Sequence, residues 1–132
     1  MATVTATVSL TSASGDLTAN ALTLSDSVAI TASHTTGLAR KKITATAVHA
    51  TATTLYTADD FAAPAYLYIK NTHATATEYI WVYDDDTSDV VILKMGGNQW
   101  AFMPIKGDKT LKAYAPSGND PVIEFMVFGT DQ

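Results

Sequence analysis

Alternation with a period of two runs through most of the chain. Over residues 3–10, Val4, Ala6, Val8 and Leu10 fall on one side and Thr3, Thr5, Thr7 and Ser9 on the other. That is the pattern of a β-strand, whose successive side chains point to opposite faces. Ser14-Gly15-Asp16 ends the run. Residues 17–24 and 27–32 read as two weaker strands parted at Ser25-Asp26, Thr35-Thr36-Gly37 breaks the pattern again, and residues 43–47 resume it. Beyond Tyr56 the pattern strengthens and predicts strands near 65–71, 77–83, 89–95, 99–104, 109–115 and 121–128. Clusters of Asn, Asp, Gly, Pro and Ser separate them, as in Gly96-Gly97-Asn98 and Pro116-Ser117-Gly118-Asn119-Asp120-Pro121. Short strands at intervals of about 8–12 residues predict an all-β fold, a β-sandwich or jelly roll. Residues 57–63 are the one helical candidate, and Pro64 limits them to a turn or two.

The two faces of the later strands differ. Leu67, Ile69, Ile80, Val82, Val91, Leu93, Ile123, Phe125 and Val127 form an aliphatic set, the predicted core. The opposite positions hold Tyr66, Tyr68, Tyr79, Trp81, Tyr83, Trp100, Phe102, Met126 and Phe128. A sheet face that meets water reads as polar, so this aromatic side calls for a cover of its own, either a second layer or a partner. Aromatic residues and Met are enriched at the centres of interfaces.

Composition divides the chain. Ala, Thr and Ser make up more than half of residues 1–54, and all 12 aromatic residues come later. Burying a Val or Leu contributes about 1.5–3 kcal/mol and an Ala much less, while ordering one residue's backbone costs about 1–2 kcal/mol. Strands of Ala and Thr therefore need another surface, and strand addition provides one through main-chain hydrogen bonds. The division is drawn at 1–39, an Ala/Thr/Ser-rich N-terminal β-arm or set of edge strands, and 40–132, the sandwich or jelly-roll domain. Arg40-Lys41-Lys42, the one basic run, marks the junction and suits a hinge or a docking point for an acidic partner.

Charge and residue content remove several classes of function. The net charge is −5, which disfavours binding to phosphate backbones, so no nucleic-acid partner is expected. No stretch approaches the roughly 20 apolar residues of a membrane span. The start of the chain has neither the basic end nor the apolar centre of a secretory signal. There is no Cys, which excludes disulfides, thiol nucleophiles and thiolate metal sites. His34, His49 and His73 lack metal-ligand spacing, and Glu78 and Glu124 are the only glutamates. Asp84-Asp85-Asp86-Thr87-Ser88-Asp89 fails the EF-hand pattern, with Asp89 in place of the required Gly and Met95 in place of the final Glu. A solvated turn is the plainer reading. No nucleophile elbow, P-loop or dinucleotide fingerprint is present. The expectation is a non-enzymatic protein with no cofactor and no metal.

One resemblance adds to this reading. Leu67-Tyr68-Ile69-Lys70-Asn71-Thr72, residues 79–83, Gly96-Gly97, Trp100-Ala101-Phe102-Met103-Pro104-Ile105 and the closing run 122–128 together resemble small β-rich virion proteins of tailed bacteriophages, over about residues 55–130. The resemblance implies a head decoration (cement) protein. Such a protein is made in the host cytoplasm and carried on the capsid surface, where a homo-oligomer, a trimer favoured, binds the major capsid protein. Tail, baseplate or fibre components share such sandwiches, and a carbohydrate-binding module would use the same aromatics. Trp81, Trp100 and Phe102 are expected at subunit contacts, Val4, Val8 and Leu10 in strand addition, and Arg40, Lys41 and Lys42 at the subunit or capsid interface.

Overall fold

The computed structural model describes residues 1–15, 19–45, 51–58, 60–62, 64–85, 90–116 and 120–131. The chain forms two units, Met1–Ala32 and Ser33–Gln132, and every element in the described residues is a strand, with no α-helix. The fold is all-β, as the alternation predicts.

The first unit is a hairpin of β1 (Ala2–Ser12) and β2 (Leu22–Ala32). The strands pair antiparallel in one unbroken register, from Ala2↔Ala32 to Ser12↔Leu22. This register joins even-numbered residues to even-numbered residues. Val4, Ala6, Val8 and Leu10 therefore share a face with Leu22, Leu24, Val28 and Ile30, and the other face is Thr and Ser with Ala29. The expected break at Ser25-Asp26 does not occur: Ser25 pairs with Ser9 and Asp26 with Val8 inside the ladder. Cross-strand pairing over the whole strand outweighs the local turn preference of that dipeptide. Asp26 is the one charged side chain on the apolar face.

The second unit holds two antiparallel sheets. One has the order β3 (His34–Thr35), β11 (Val122–Gly129), β6 (Ala65–Asn71), β9 (Trp100–Ile105), with β4 (Ala39–Lys42) beside β3 on the same flank of β11. The other runs β5 (Thr53–Tyr56), β10 (Leu111–Tyr114), β7 (Ile80–Asp84), β8 (Val90–Met95). The predicted strands from 65 onward are found within a few residues of their expected bounds. Residues 43–47 do not resume a strand: Ala45 makes only an isolated bridge to Ala115, and 46–47 lie outside the described residues. The helical candidate is not a helix in its described residues. The Asp60 carboxylate instead accepts from the Thr57 amide and hydroxyl and closes a turn.

The inward residues of both sheets meet in one core that includes Leu67, Ile69, Ile80, Val82, Phe125 and Val127. Of the predicted aliphatic set, Val91 departs: it is exposed. The register shifts between Val82 and Tyr83, where Val82 faces Leu93 and Tyr83 faces Val91, so Ile92 is an extra residue in β8. Such a bulge bends its strand and interrupts the alternation that put Val91 in the core.

Among the described residues, Asn71 is the one fully buried polar side chain in the core region. Its Nδ2 donates to the carbonyls of Glu78 (2.8 Å) and Met95 (3.4 Å), and its Oδ1 accepts from the His73 amide at 3.1 Å. Its backbone bonds both Asn98 and Gln99. The end of β6, the loop before β7 and the β8–β9 turn are thus tied at one side chain. Gly97 completes this knot, since a Cβ there would lie 2.3 Å from the Thr75 carbonyl oxygen. Asn98 takes the left-handed conformation, φ 62°, which Asn tolerates better than most residues.

Replacing Asn71 by Leu strands carbonyls whose donor is lost, and each unsatisfied buried group costs about 1–3 kcal/mol. The expected result is a lower urea midpoint with an unchanged slope, which equilibrium denaturation measures.

Candidate functional site

Three groups of residues stand out as surfaces. The hairpin comes first. Val8, Leu10, Leu24 and Val28 are exposed, Leu10 at 53% and Val28 at 50%, whereas Ile30 and Ala32 at the far end of β2 are buried. Val4, Val8 and Leu10 share one face, as the alternation predicts.

The aromatic residues are split between two faces, not gathered on one side. Tyr66, Tyr68, Trp100, Phe102, Met126 and Phe128 occupy the outer face of the five-stranded sheet, since they alternate with the core residues of β6, β9 and β11. Tyr66, Phe102 and Phe128 stack at ring-centroid separations of 5.8–6.2 Å, and Trp100 is 55% exposed. Trp81 belongs to the other sheet, where it stacks on Tyr114 at 6.2 Å. Tyr83 meets Tyr114 edge-on at 5.7 Å and is fully buried although it is not part of the main core. Lys94 lies over the rings of Tyr79 (4.3 Å) and Trp81 (4.9 Å), a cation–π arrangement. Trp81 therefore belongs to a different sheet from Trp100 and Phe102. Strand alternation alone does not say which sheet a strand joins.

The basic run has internal partners. Arg40 donates through Nε and Nη2 to Glu124 on β11 at 3.0 and 2.9 Å. Lys42 pairs with Asp120 at 2.8 Å. Lys41 lies between them in sequence, and its alternate direction carries it over the Phe125 ring and across to the Thr54 carbonyl of β5 at 2.7 Å. One lysine thus links the edge of one sheet to the edge of the other. The Arg40 and Lys42 side chains remain largely exposed, and exposed ion pairs contribute little. The Lys42 ammonium and the Ala45 amide hold the Asp120 carboxyl below its ordinary range. The stabilisation that this implies is present above the usual carboxylate pKa and is lost as acid protonates Asp120.

The acidic run is only partly in view. Asp85 pairs with Lys112, and residues 86–89 lie outside the described residues, as does His49. Among the described residues no three His, Asp or Glu side chains gather as a metal site. His34 rests against the Phe61 ring at 4.9 Å, and His73 Nδ1 accepts from the Thr75 amide. The Glu124 carboxylate is taken by Arg40 and approached by the Tyr68 hydroxyl.

The third surface was not anticipated from the sequence. β8 ends the four-stranded sheet, and its Val90, Val91 and Ile92 are exposed, Val90 at 54%. Beside it opens a groove of about 180 Å³ lined by Asp84, Ile92, Met103, Ile105, Lys106 and Lys109, among others. The available signal was Val90-Val91-Ile92-Leu93, four apolar residues without alternation, which one buried face cannot absorb.

Tyr56 is buried and donates to the Lys106 carbonyl at 3.1 Å. Burial first, then the charges of Asp84, Asp108 and Asp60, push its phenol well above the usual tyrosine value. An unfolded tyrosine ionises near pH 10, so this contribution to stability is whole below about pH 10 and declines above it. Tyr56→Phe is expected to flatten the fall of melting temperature above that pH, as calorimetry across pH 9–11.5 measures.

No family model matches this chain, and neither a curated protein nor a solved structure matches it.

Proposed function

We propose that the chain is a non-enzymatic virion structural protein, a capsid decoration or cement protein that binds the outer capsid surface as a symmetric oligomer and reinforces the lattice. The supporting observation is the β1–β2 hairpin, an 11-residue two-stranded ribbon whose apolar face includes four exposed aliphatic side chains. A lone two-stranded hairpin is marginal in water, and a sheet with one apolar face is stable when another layer covers that face. An assembling protein supplies such a layer from neighbouring subunits. Several weak contacts made by one oligomer then combine through effective concentration, which suits binding to a repeating shell. Closed rotational symmetry, with a trimer favoured, matches sites of local threefold symmetry.

A second reading is favoured by Trp100. Its exposed ring beside Tyr68 and Phe102 offers the stacking platform of a carbohydrate-binding module or of a tail or fibre component. A glycan array separates the two. The cement reading predicts no glycan signal and saturable, symmetric occupancy of decoration-free heads by the purified protein. Glycan binding without head binding would replace it.

Among the described residues, the main core cluster lies between Ala39 and Val127. A protein lacking residues 1–32 is therefore expected to keep a cooperative melt and to lose at least about tenfold in head affinity, or about 1.4 kcal/mol. Quantitative binding to heads checks this, and unchanged affinity would leave the hairpin no part in assembly.

A further inference from the structure

We propose that the β1–β2 hairpin of one copy docks on the β8 edge and the adjoining groove of a second copy, so that subunits join head to tail. The proposal rests on the reading that the hairpin serves assembly, and it names the surface that receives it.

The two surfaces complement each other in hydrogen bonding, polarity and charge. β8 is the end strand of its sheet, and an end strand presents unpaired backbone groups to a further strand. The neighbouring end strand, β9, is a poorer acceptor because Pro104 lies within it and carries no N–H. Between Val90 and Met95 there is no proline. The hairpin is itself a two-stranded sheet with two outer edges, so either β1 or β2 is able to extend the β8 ladder.

Polarity then sets which way the hairpin faces. On β8, Leu93 and Met95 point to the core, and Lys94 to the outside with Trp81. A strand added beside β8 continues both faces. The hairpin's aliphatic face falls on the core side, over Ile92, Met103 and Ile105 of the groove, and its Thr/Ser face continues the outer surface. The reverse orientation would set Thr against the groove and aliphatic side chains against water.

The charges agree with this orientation. The aliphatic hairpin face carries one charge, Asp26, at the middle of β2. The groove is lined by Lys106 and Lys109 together with Asp84, and Lys106 also pairs with Asp108 at 3.3 Å. A carboxylate that would be costly against a purely apolar partner meets lysines here. Two hairpins packed face to face would instead bring two aspartates together. Head-to-tail contacts close into rings when the rotation allows and otherwise propagate as filaments.

The test uses two full-length variants in solution, with no capsid present. A donor variant carries Val8→Lys and Val28→Lys, and an acceptor variant carries Val90→Lys and Ile92→Lys. All four positions are exposed, and thermal melts confirm that each variant is folded. Sedimentation velocity is expected to show the unaltered protein as a concentration-dependent oligomer and each variant alone as a monomer. The 1:1 mixture is expected to form a heterodimer and nothing larger, because it holds one intact hairpin type and one intact edge type. Self-association of the acceptor variant would overturn the proposal in favour of hairpin-to-hairpin contact. A monomeric unaltered protein at tens of micromolar would overturn it altogether. Asp26→Lys gives a second readout that leaves β8 untouched: a dissociation constant at least about tenfold weaker is expected, and an unchanged one would remove the lysine-lined groove as the acceptor. Head binding by a protein that fails these tests would leave the cement reading standing and remove only this contact.

Discussion

A sheet with one apolar face needs a second layer, and the two units meet that requirement differently. In residues 33–132 two sheets cover each other's inner faces, and the bulky residues Leu67, Ile69, Ile80, Phe125 and Val127 fill the space between them. In residues 1–32 a single ribbon presents its aliphatic side chains on one face and Thr and Ser on the other. The proposed function rests on this imbalance between a sandwich with its own core and a ribbon with exposed aliphatic side chains.

The rest of the surface is consistent with a chain that uses edges and faces. Lys41 joins the two sheets on one flank through the Thr54 carbonyl, and Pro104 removes a donor from β9 on the other. β8 is left with exposed aliphatic side chains and a bulge at Ile92. Natural proteins usually blunt such edges with charge, proline or a covering element. The β8 edge thus lies beside a groove, in a molecule that also carries a ribbon with exposed aliphatic side chains.

Much of this was legible in the sequence because period two is local. The alternation of Val4, Ala6, Val8 and Leu10 predicts one face, and the structure places them on one. The strands after residue 65 and most of the aliphatic core were readable for the same reason. Non-local properties were not. Ser25-Asp26 looked like a turn, yet pairing with Ser9 and Val8 carries β2 straight through it. Val91 looked like core until the bulge at Ile92 displaced it. The aromatic residues looked like one patch, but sheet membership, set by strand order, parts Trp81 from Trp100 and Phe102. The basic run looked free at a junction, whereas Glu124, Thr54 and Asp120, all distant in sequence, engage it.

The most direct test of the central claim is amide hydrogen exchange of the full chain at several protein concentrations. If the ribbon gains its second layer from other copies, protection over 2–12 and 22–32 rises with concentration, while protection over 65–71 and 122–129 stays constant. Ribbon amides as slow to exchange as those of β6 and β11, at every concentration down to the nanomolar range, would contradict it.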